Sequence, residues 1–223
     1  MSFFITLIEL TDSSRRDLET IPKMHSMIHH GLTLAEYRAF LHDLYYIVWN
    51  FCPIMATAAS RCDDQFRGVR YELYERIEEE KNHETWVLED IESVGGDVAG
   101  TIANPPSAPA QAMIAFNYFS AERVHPCSVL GMLYALEVIA SVYAGRVSES
   151  IARAIGRDVN SGGFKFLSSH STMDQDHVAG LNRLVKTIEN PAAQESIINS
   201  TRVNFYQFGR MFFEGGFSSL ITE

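Results

Sequence analysis

The feature that most constrains the fold is an apolar stretch from Val129 to Gly145 with one carboxylate, Glu137, at its centre. The stretch is shorter than the roughly 20 apolar residues that a helix needs to cross a bilayer. Apolar side chains lie on every face of the helix that it would form, which is typical of a helix buried on all sides. Other helices must therefore cover it, and Glu137 must be protonated, bonded to a tyrosine or arginine, or bound to a cation.

Helical periodicity extends along nearly the whole chain, without alternating strand patterns or an Asn-Gly hairpin. Ser13 or Ser14 is placed to cap the first helix, and Thr33 with Glu36 forms a capping box for the second, which Pro53 is expected to kink without ending. We predict one all-α domain over residues 1–223. Its seven helices cover about 13–30, 33 to beyond 53, 69–92, 110–122, 126–155, 163–188 and 192–213.

The charge balance indicates which partners to expect. Lys and Arg number 18 and Asp and Glu 28, a formal net charge of −10, which disfavours nucleic acid and anionic membrane surfaces. Three widely spaced cysteines, Cys52, Cys62 and Cys127, form no metal or disulfide pattern and predict reduced thiols in a cytoplasmic protein. We expect a small-molecule partner, and the sequence is compatible with a homodimer.

The sixth predicted helix carries a group of potential metal ligands. At about 100° per residue, Asp174 and His177 lie within about 40° of His170 on the helix surface, whereas Asp176 points elsewhere. Three donors would then share one face over two turns. The alternative is a polar surface face with histidines placed there by chance.

The third predicted helix offers a second group. Glu80 and His83 are three residues apart, the spacing by which bundle helices chelate a metal, and Glu79 is an alternative donor. Acidic runs on helices are more often solvated faces. Here, however, Trp86 and Val87 follow closely, which suggests that the stretch also faces the core.

Together these signals give three carboxylates and three imidazoles on three different helices. Structural zinc sites often use cysteine, and calcium takes oxygen ligands, so the mixed set favours two iron or manganese ions in a bundle core. Three carboxylates against four positive charges leave a net charge of +1 for an anionic substrate or hydroxide. The six predicted ligands are Glu80, His83, Glu137, His170, Asp174 and His177.

These motifs resemble those of the haem-oxygenase-like diiron oxygenases, whose superfamily also holds thiaminase II and pyrroloquinoline-quinone synthase. The resemblance covers essentially the whole chain and implies a seven-helix haem-oxygenase-like bundle. It implies two ferrous ions, or manganese, held by the six residues with Glu137 as the bridging ligand, and O2 as co-substrate. The implied reaction is N-oxygenation or oxidative C–C cleavage of a small, amino-acid-derived substrate in natural-product biosynthesis.

The resemblance assigns no catalytic side chain and no substrate contact. From position alone, five residues are candidates for substrate binding, and an arginine among them would suit a substrate carboxylate by bidentate pairing. They are Tyr45, Tyr46, Trp49, Arg146 and Arg153.

Two alternative functions remain open. One is an enzyme without a metal, similar to thiaminase II or pyrroloquinoline-quinone synthase, in which the polar cluster binds the substrate directly. The thiaminase pattern relies on a cysteine nucleophile and does not account for His170, Asp174 and His177. The other is a non-enzymatic metal-binding bundle, for which a paired Glu-x-x-His motif on two helices would be expected.

Overall fold

The computed structural model describes residues 2–213, and within residues 171–178 it describes the backbone but not the side chains. This part of the chain is all-α, contains no strand, and folds into ten helices joined by short turns. The helices are α1 (Phe3–Thr20), α2 (Pro22–His30), α3 (Leu34–Arg61), α4 (Arg67–Glu80), α5 (His83–Ser93), α6 (Val98–Ala103), α7 (Ala108–Phe119), α8 (Ser128–Ala154), α9 (Lys165–Val185) and α10 (Pro191–Arg210).

Helix α8 forms the centre of the core and packs most extensively on α10 and α9. By length and composition alone it could cross a membrane, but 67% of its apolar window is buried inside the protein, which agrees with the prediction of a core helix. A Cβ atom at Gly131 would lie 2.3 Å from the Ile197 carbonyl oxygen, so glycine permits the close crossing of α8 and α10. A π-helical turn, Ala140–Ala144, interrupts α8 just after Glu137.

The all-α fold is confirmed, but the number of seven helices is wrong. The helix predicted over 13–30 begins at Phe3 and divides before Pro22, whose ring favours a new first turn. A short extra helix, α6, follows Gly96 because the Asp97 side chain accepts a hydrogen bond from Gly100 N at 2.9 Å. The capping box before α3 is present, and α3 continues through Pro53 as predicted.

The break in the helix predicted over 69–92 matters most for the candidate site. The helix predicted over 69–92 breaks at Lys81 and Asn82, and Asn82 has a φ of 70°, in the left-handed region. Asparagine tolerates this region better than most residues. Glu80 is therefore the last residue of α4 and His83 the first of α5, so they do not share a helix as their spacing predicts.

Substitutions of Asn82 test this turn. Replacing Asn82 with Gly is expected to leave the free energy of unfolding nearly unchanged, whereas Val should lower it by about 1–2 kcal/mol because its Cβ clashes with the backbone at positive φ. Urea unfolding of the metal-free protein measures both changes. Equal stability of the Gly and Val variants would show that residue 82 is not left-handed in solution.

Candidate metal centre

Three side chains from three helices meet in the interior: Glu80 at the end of α4, His83 at the start of α5, and His170 in α9. All three are buried, and their potential ligand atoms lie within 4.8 Å of one another. His83 Nδ1 lies 2.8 Å and His170 Nε2 lies 3.7 Å from the same oxygen, Glu80 Oε2. Two imidazoles and one carboxylate are the donor set of non-haem ferrous sites, so the residues present fit an iron ion.

Neighbouring groups fix the orientation of both imidazoles. His170 Nδ1 lies 2.9 Å from the Phe166 carbonyl oxygen, which only accepts, so Nδ1 carries a proton and Nε2 is the ring nitrogen that faces Glu80. The Phe166 ring stacks on His170 and the Trp86 ring on His83, each with ring centroids 4.0 Å apart. Contacts of this kind orient metal ligands and limit their rearrangement.

A buried carboxylate ties the two histidine-bearing helices together. Asp90, in α5, accepts hydrogen bonds from the first backbone N–H groups of α9, from Lys165 N at 2.8 Å and Phe166 N at 2.9 Å. It thus caps α9 from a neighbouring helix and places a negative charge at its N-terminus. Tyr37 donates to the Gly163 carbonyl oxygen at 2.6 Å, just before the helix begins. These contacts fix the start of α9 and hence the position of His170.

Replacing Asp90 with Ala is expected to lower the free energy of unfolding by about 1–3 kcal/mol, because one buried and one partly buried N–H donor lose their acceptor. The Asn variant should lose less, since its side-chain oxygen still accepts one hydrogen bond. Urea unfolding measures the change, and Asp97→Ala is a control that removes the cap of the short, more exposed helix α6. An Asp90→Ala variant no less stable than Asp97→Ala would contradict this role.

Two opposing effects determine the pKa of Glu80. Burial raises it, but the nearby imidazoles of His170 and His83 outweigh burial and hold the pKa of Glu80 at about 2. The carboxyl group is therefore ionised at neutral pH, as a metal ligand must be.

Glu137 reaches the same region from α8. It forms a buried ion pair with Arg76 of α4, with 2.5 Å between Arg76 Nη1 and Glu137 Oε1, and the two side chains are only 4% and 6% exposed. Arg76 also lies 3.3 Å, through Nε, from Oε1 of the partly exposed Glu72. The burial of Glu137 predicted that it is protonated, bonded to a tyrosine or arginine, or bound to a cation. The structure shows an arginine partner.

A cavity of about 100 Å³ lies beside these residues. Glu80, Glu137 and His170 all line it, which places the three at one site, and Tyr143 lines it as well. Most of the wall is apolar and comes from α2, α3, α8, α9 and α10, including Met24, Met27, Phe40, Leu44, Leu167 and Phe208. Glu80 and His170 therefore face a mainly apolar space that suits the apolar part of a small molecule.

The structure places the other predicted ligands differently. Glu79 is exposed whereas Glu80 is buried, so the cluster contains Glu80. Asp174 and His177 lie in α9, but their side chains are outside the described residues. Their role as ligands stays a prediction.

None of the five residues predicted to bind substrate lines the cavity. Tyr46 directs its hydroxyl to backbone carbonyl oxygens, including Asn104 O at 2.7 Å, and Tyr45 packs edge-on against it. Trp49 is 51% exposed, and Arg146 and Arg153 lie on the surface of α8. Position along a helix therefore did not indicate which side chains face this cavity.

Sequence reasoning missed Arg76, the buried cation of the site. One signal could have found it, since Glu72, Arg76 and Glu80 follow at intervals of four and so share a face of α4. Because Glu80 is a predicted metal ligand that points into the core, Arg76 on the same face of α4 is expected to be buried beside it.

The ten helices define a haem-oxygenase-like fold. A domain with a haem-oxygenase-like fold from Shewanella denitrificans matches with a TM-score of 0.84 and 20% identity, covering 96% of this chain and 95% of that one. A TenA homologue from Pseudomonas syringae matches with a TM-score of 0.78 and 14% identity, covering 93% and 89%. The haem oxygenase of Leptospira interrogans matches with a TM-score of 0.74 and 15% identity, covering 96% and 100%.

The family model described as iron-containing redox enzyme matches residues 38–204 of the sequence. The chain belongs to this family. The matched range contains all six predicted ligands. No curated protein matches the sequence.

Proposed function

We propose that this protein is a non-haem diiron oxygenase that uses O2 to oxidise a small substrate. The observation that carries the proposal is the buried group of Glu80, His83 and His170, of which Glu80 and His170 line an apolar cavity together with Glu137. Membership of an iron-containing redox family supports iron as the metal. When bound, the iron supplies the redox chemistry that O2 activation requires and that no amino-acid side chain provides.

The lining of the cavity supports a particular orientation of the substrate. Its apolar wall would bind the hydrophobic part of the substrate and exclude water, leaving the reacting end beside Glu80, Glu137 and His170. An amino-acid-derived substrate with an apolar side chain fits a cavity that has an apolar wall and one polar end. N-oxygenation or oxidative C–C cleavage in a biosynthetic pathway, a cytoplasmic location and a homodimer stay part of the proposal.

The thiaminase-like alternative has less support because no cysteine is suited to act as a nucleophile. Burial raises the pKa of Cys52 and of Cys62 to about 11, and it raises the pKa of Cys127 further. All three thiols are therefore protonated at neutral pH and weakly reactive. Cys52, the least buried, lies among the charges of Glu80 and Glu84, which raise its pKa further.

Metal binding can be tested with the protein's own fluorescence. The chain has two tryptophans, of which Trp86 stacks on His83 and Trp49 is exposed. In a Trp49→Phe variant, Co2+ or anaerobic Fe2+ is expected to quench Trp86 emission, and the quenching should saturate as metal analysis finds at least one ion per chain.

The matched control is Trp86→Phe, in which the remaining Trp49 should not respond. Absence of quenching, together with less than one ion per chain after dialysis, would overturn the proposal. Full turnover by chelator-treated protein would favour the metal-independent alternative instead.

A further inference from the structure

The ion pair of Arg76 and Glu137 places a fixed positive charge at the proposed diiron centre. Arg76 precedes Glu80 by one turn of α4, so one helix brings both a cation and a metal ligand to the same place. The guanidinium Nη1 lies 2.5 Å from Glu137 Oε1, and the pair is almost completely buried. The predicted bridging ligand is therefore held by a protein cation.

Fold stability alone is a weak reason for this pair. Removing two charges from water costs about as much as their attraction returns, and apolar residues of similar volume often replace such a pair without loss. The carboxylate of the pair, Glu137, however, lines the cavity beside Glu80 and His170. A role connected with that carboxylate explains the arginine better than packing does.

Two donor groups at the site differ in what a cation must displace. Glu80 is held by imidazoles, which are themselves metal donors, so an ion can bind there without displacing a permanently charged side chain. Glu137 is held by a guanidinium, which is always charged. A divalent cation at Glu137 must weaken that ion pair and also overcome repulsion from a positive charge a few ångströms away.

The guanidinium has an alternative partner. Arg76 Nε already lies 3.3 Å from Glu72 Oε1, one turn towards the start of α4, where Glu72 is 28% exposed. A Cβ atom at Gly180 of α9 would lie 3.2 Å from Arg76 Nη2, so the glycine leaves room for the guanidinium between the two helices. Arg76 can therefore release Glu137 and keep a carboxylate partner.

We infer that Arg76 is an internal counter-ion of Glu137 that makes the two metal positions unequal. The first ion binds at Glu80, His83 and His170, and the second binds more weakly because Arg76 must first release Glu137. The inference rests on the proposed function, since it presupposes a second ion at Glu137. Arg76 is thus a positioning residue that controls how the centre fills.

Equilibrium dialysis of metal-free protein against Co2+, with metal analysis, tests this inference. The wild type is expected to bind one ion, and a second at least about tenfold more weakly. Arg76→Gln should raise affinity for the second ion by at least about tenfold and leave the first nearly unchanged. A second readout is the melting temperature, which Co2+ should raise more in Arg76→Gln, because Glu137 has then lost the charge of Arg76 and gains that of the metal.

Control variants separate charge from packing. Arg76→Lys keeps the positive charge and should bind the second ion about as weakly as the wild type. Arg67→Gln makes the same charge change at the exposed start of α4 and should have no effect. Should Arg76→Gln fail to fold, Glu72→Gln serves instead, and it should weaken the second ion by about twofold to fivefold because Arg76 loses its alternative partner.

The outcomes distinguish this inference from the proposed function. One ion in the wild type and two in Arg76→Gln would support both. Two equally tight ions in the wild type, or a single ion in both proteins, would overturn the role of Arg76 but leave a metal centre at Glu80. No ion in either protein would overturn both.

Discussion

Replacing His170 with Ala is expected to lower the affinity of the metal-free protein for its first Co2+ or Fe2+ ion by at least about 100-fold. Loss of a group that merely orients a ligand costs about 10–100-fold, and loss of one of three gathered donors should cost no less. Competition with a coloured chelator under anaerobic conditions measures the affinity. His83→Ala should show a similar loss, because both imidazoles approach the same oxygen of Glu80.

The matched control is His29→Ala, which removes an exposed imidazole near the end of α2. It should bind the first ion as the wild type does. Circular dichroism of each variant shows whether the helices are retained, so that a loss of binding is not mistaken for unfolding. Retention of wild-type affinity, within about threefold, by both His170→Ala and His83→Ala would place the ion elsewhere.

Replacing Glu137 with Leu in the metal-free protein is expected to lower the free energy of unfolding by about 3–5 kcal/mol, since Arg76 then lies buried opposite an apolar side chain. Arg76→Met should cost a similar amount for the converse reason. The double variant should recover most of the loss, because two apolar side chains need no counter-charge. Urea unfolding of all four proteins gives the coupling energy between the two residues.

The double variant also separates stability from function. It should be folded and nearly as stable as the wild type, yet bind no second ion, because Glu137 is absent. Single variants as stable as the wild type would show that solvent reaches the pair. The double variant being as unstable as the sum of the single variants would show that the two residues do not interact.

Much of the local structure could be predicted from the sequence. The spacing of apolar residues predicted helices throughout, and the capping box of Thr33 and Glu36 correctly marked the start of α3. The apolar surroundings of Glu137 predicted its burial. These features depend on neighbours within one or two turns, which the order of residues specifies directly.

Helix boundaries were less predictable where one residue decides them. Lys81 and Asn82 have no strong breaking signal, yet Asn82 adopts a left-handed conformation and separates α4 from α5. The predicted pair of Glu80 and His83 still meets, with 2.8 Å between Nδ1 and Oε2, across a turn instead of along a helix. Packing of α5 against α3 and α9 accompanies this break, and packing of that kind overrides helix propensity.

The sequence by itself therefore determined an all-α chain, the burial of Glu137, and the set of carboxylates and imidazoles available to a metal. Only the tertiary structure decided that Glu80 rather than Glu79 faces His170, that Arg76 pairs with Glu137, and that apolar side chains from five helices line a cavity beside them. Arg76 and Glu137 are 61 residues apart. Hydrophobic periodicity shows which face of a helix is buried, but which charges meet inside depends on how the helices cross.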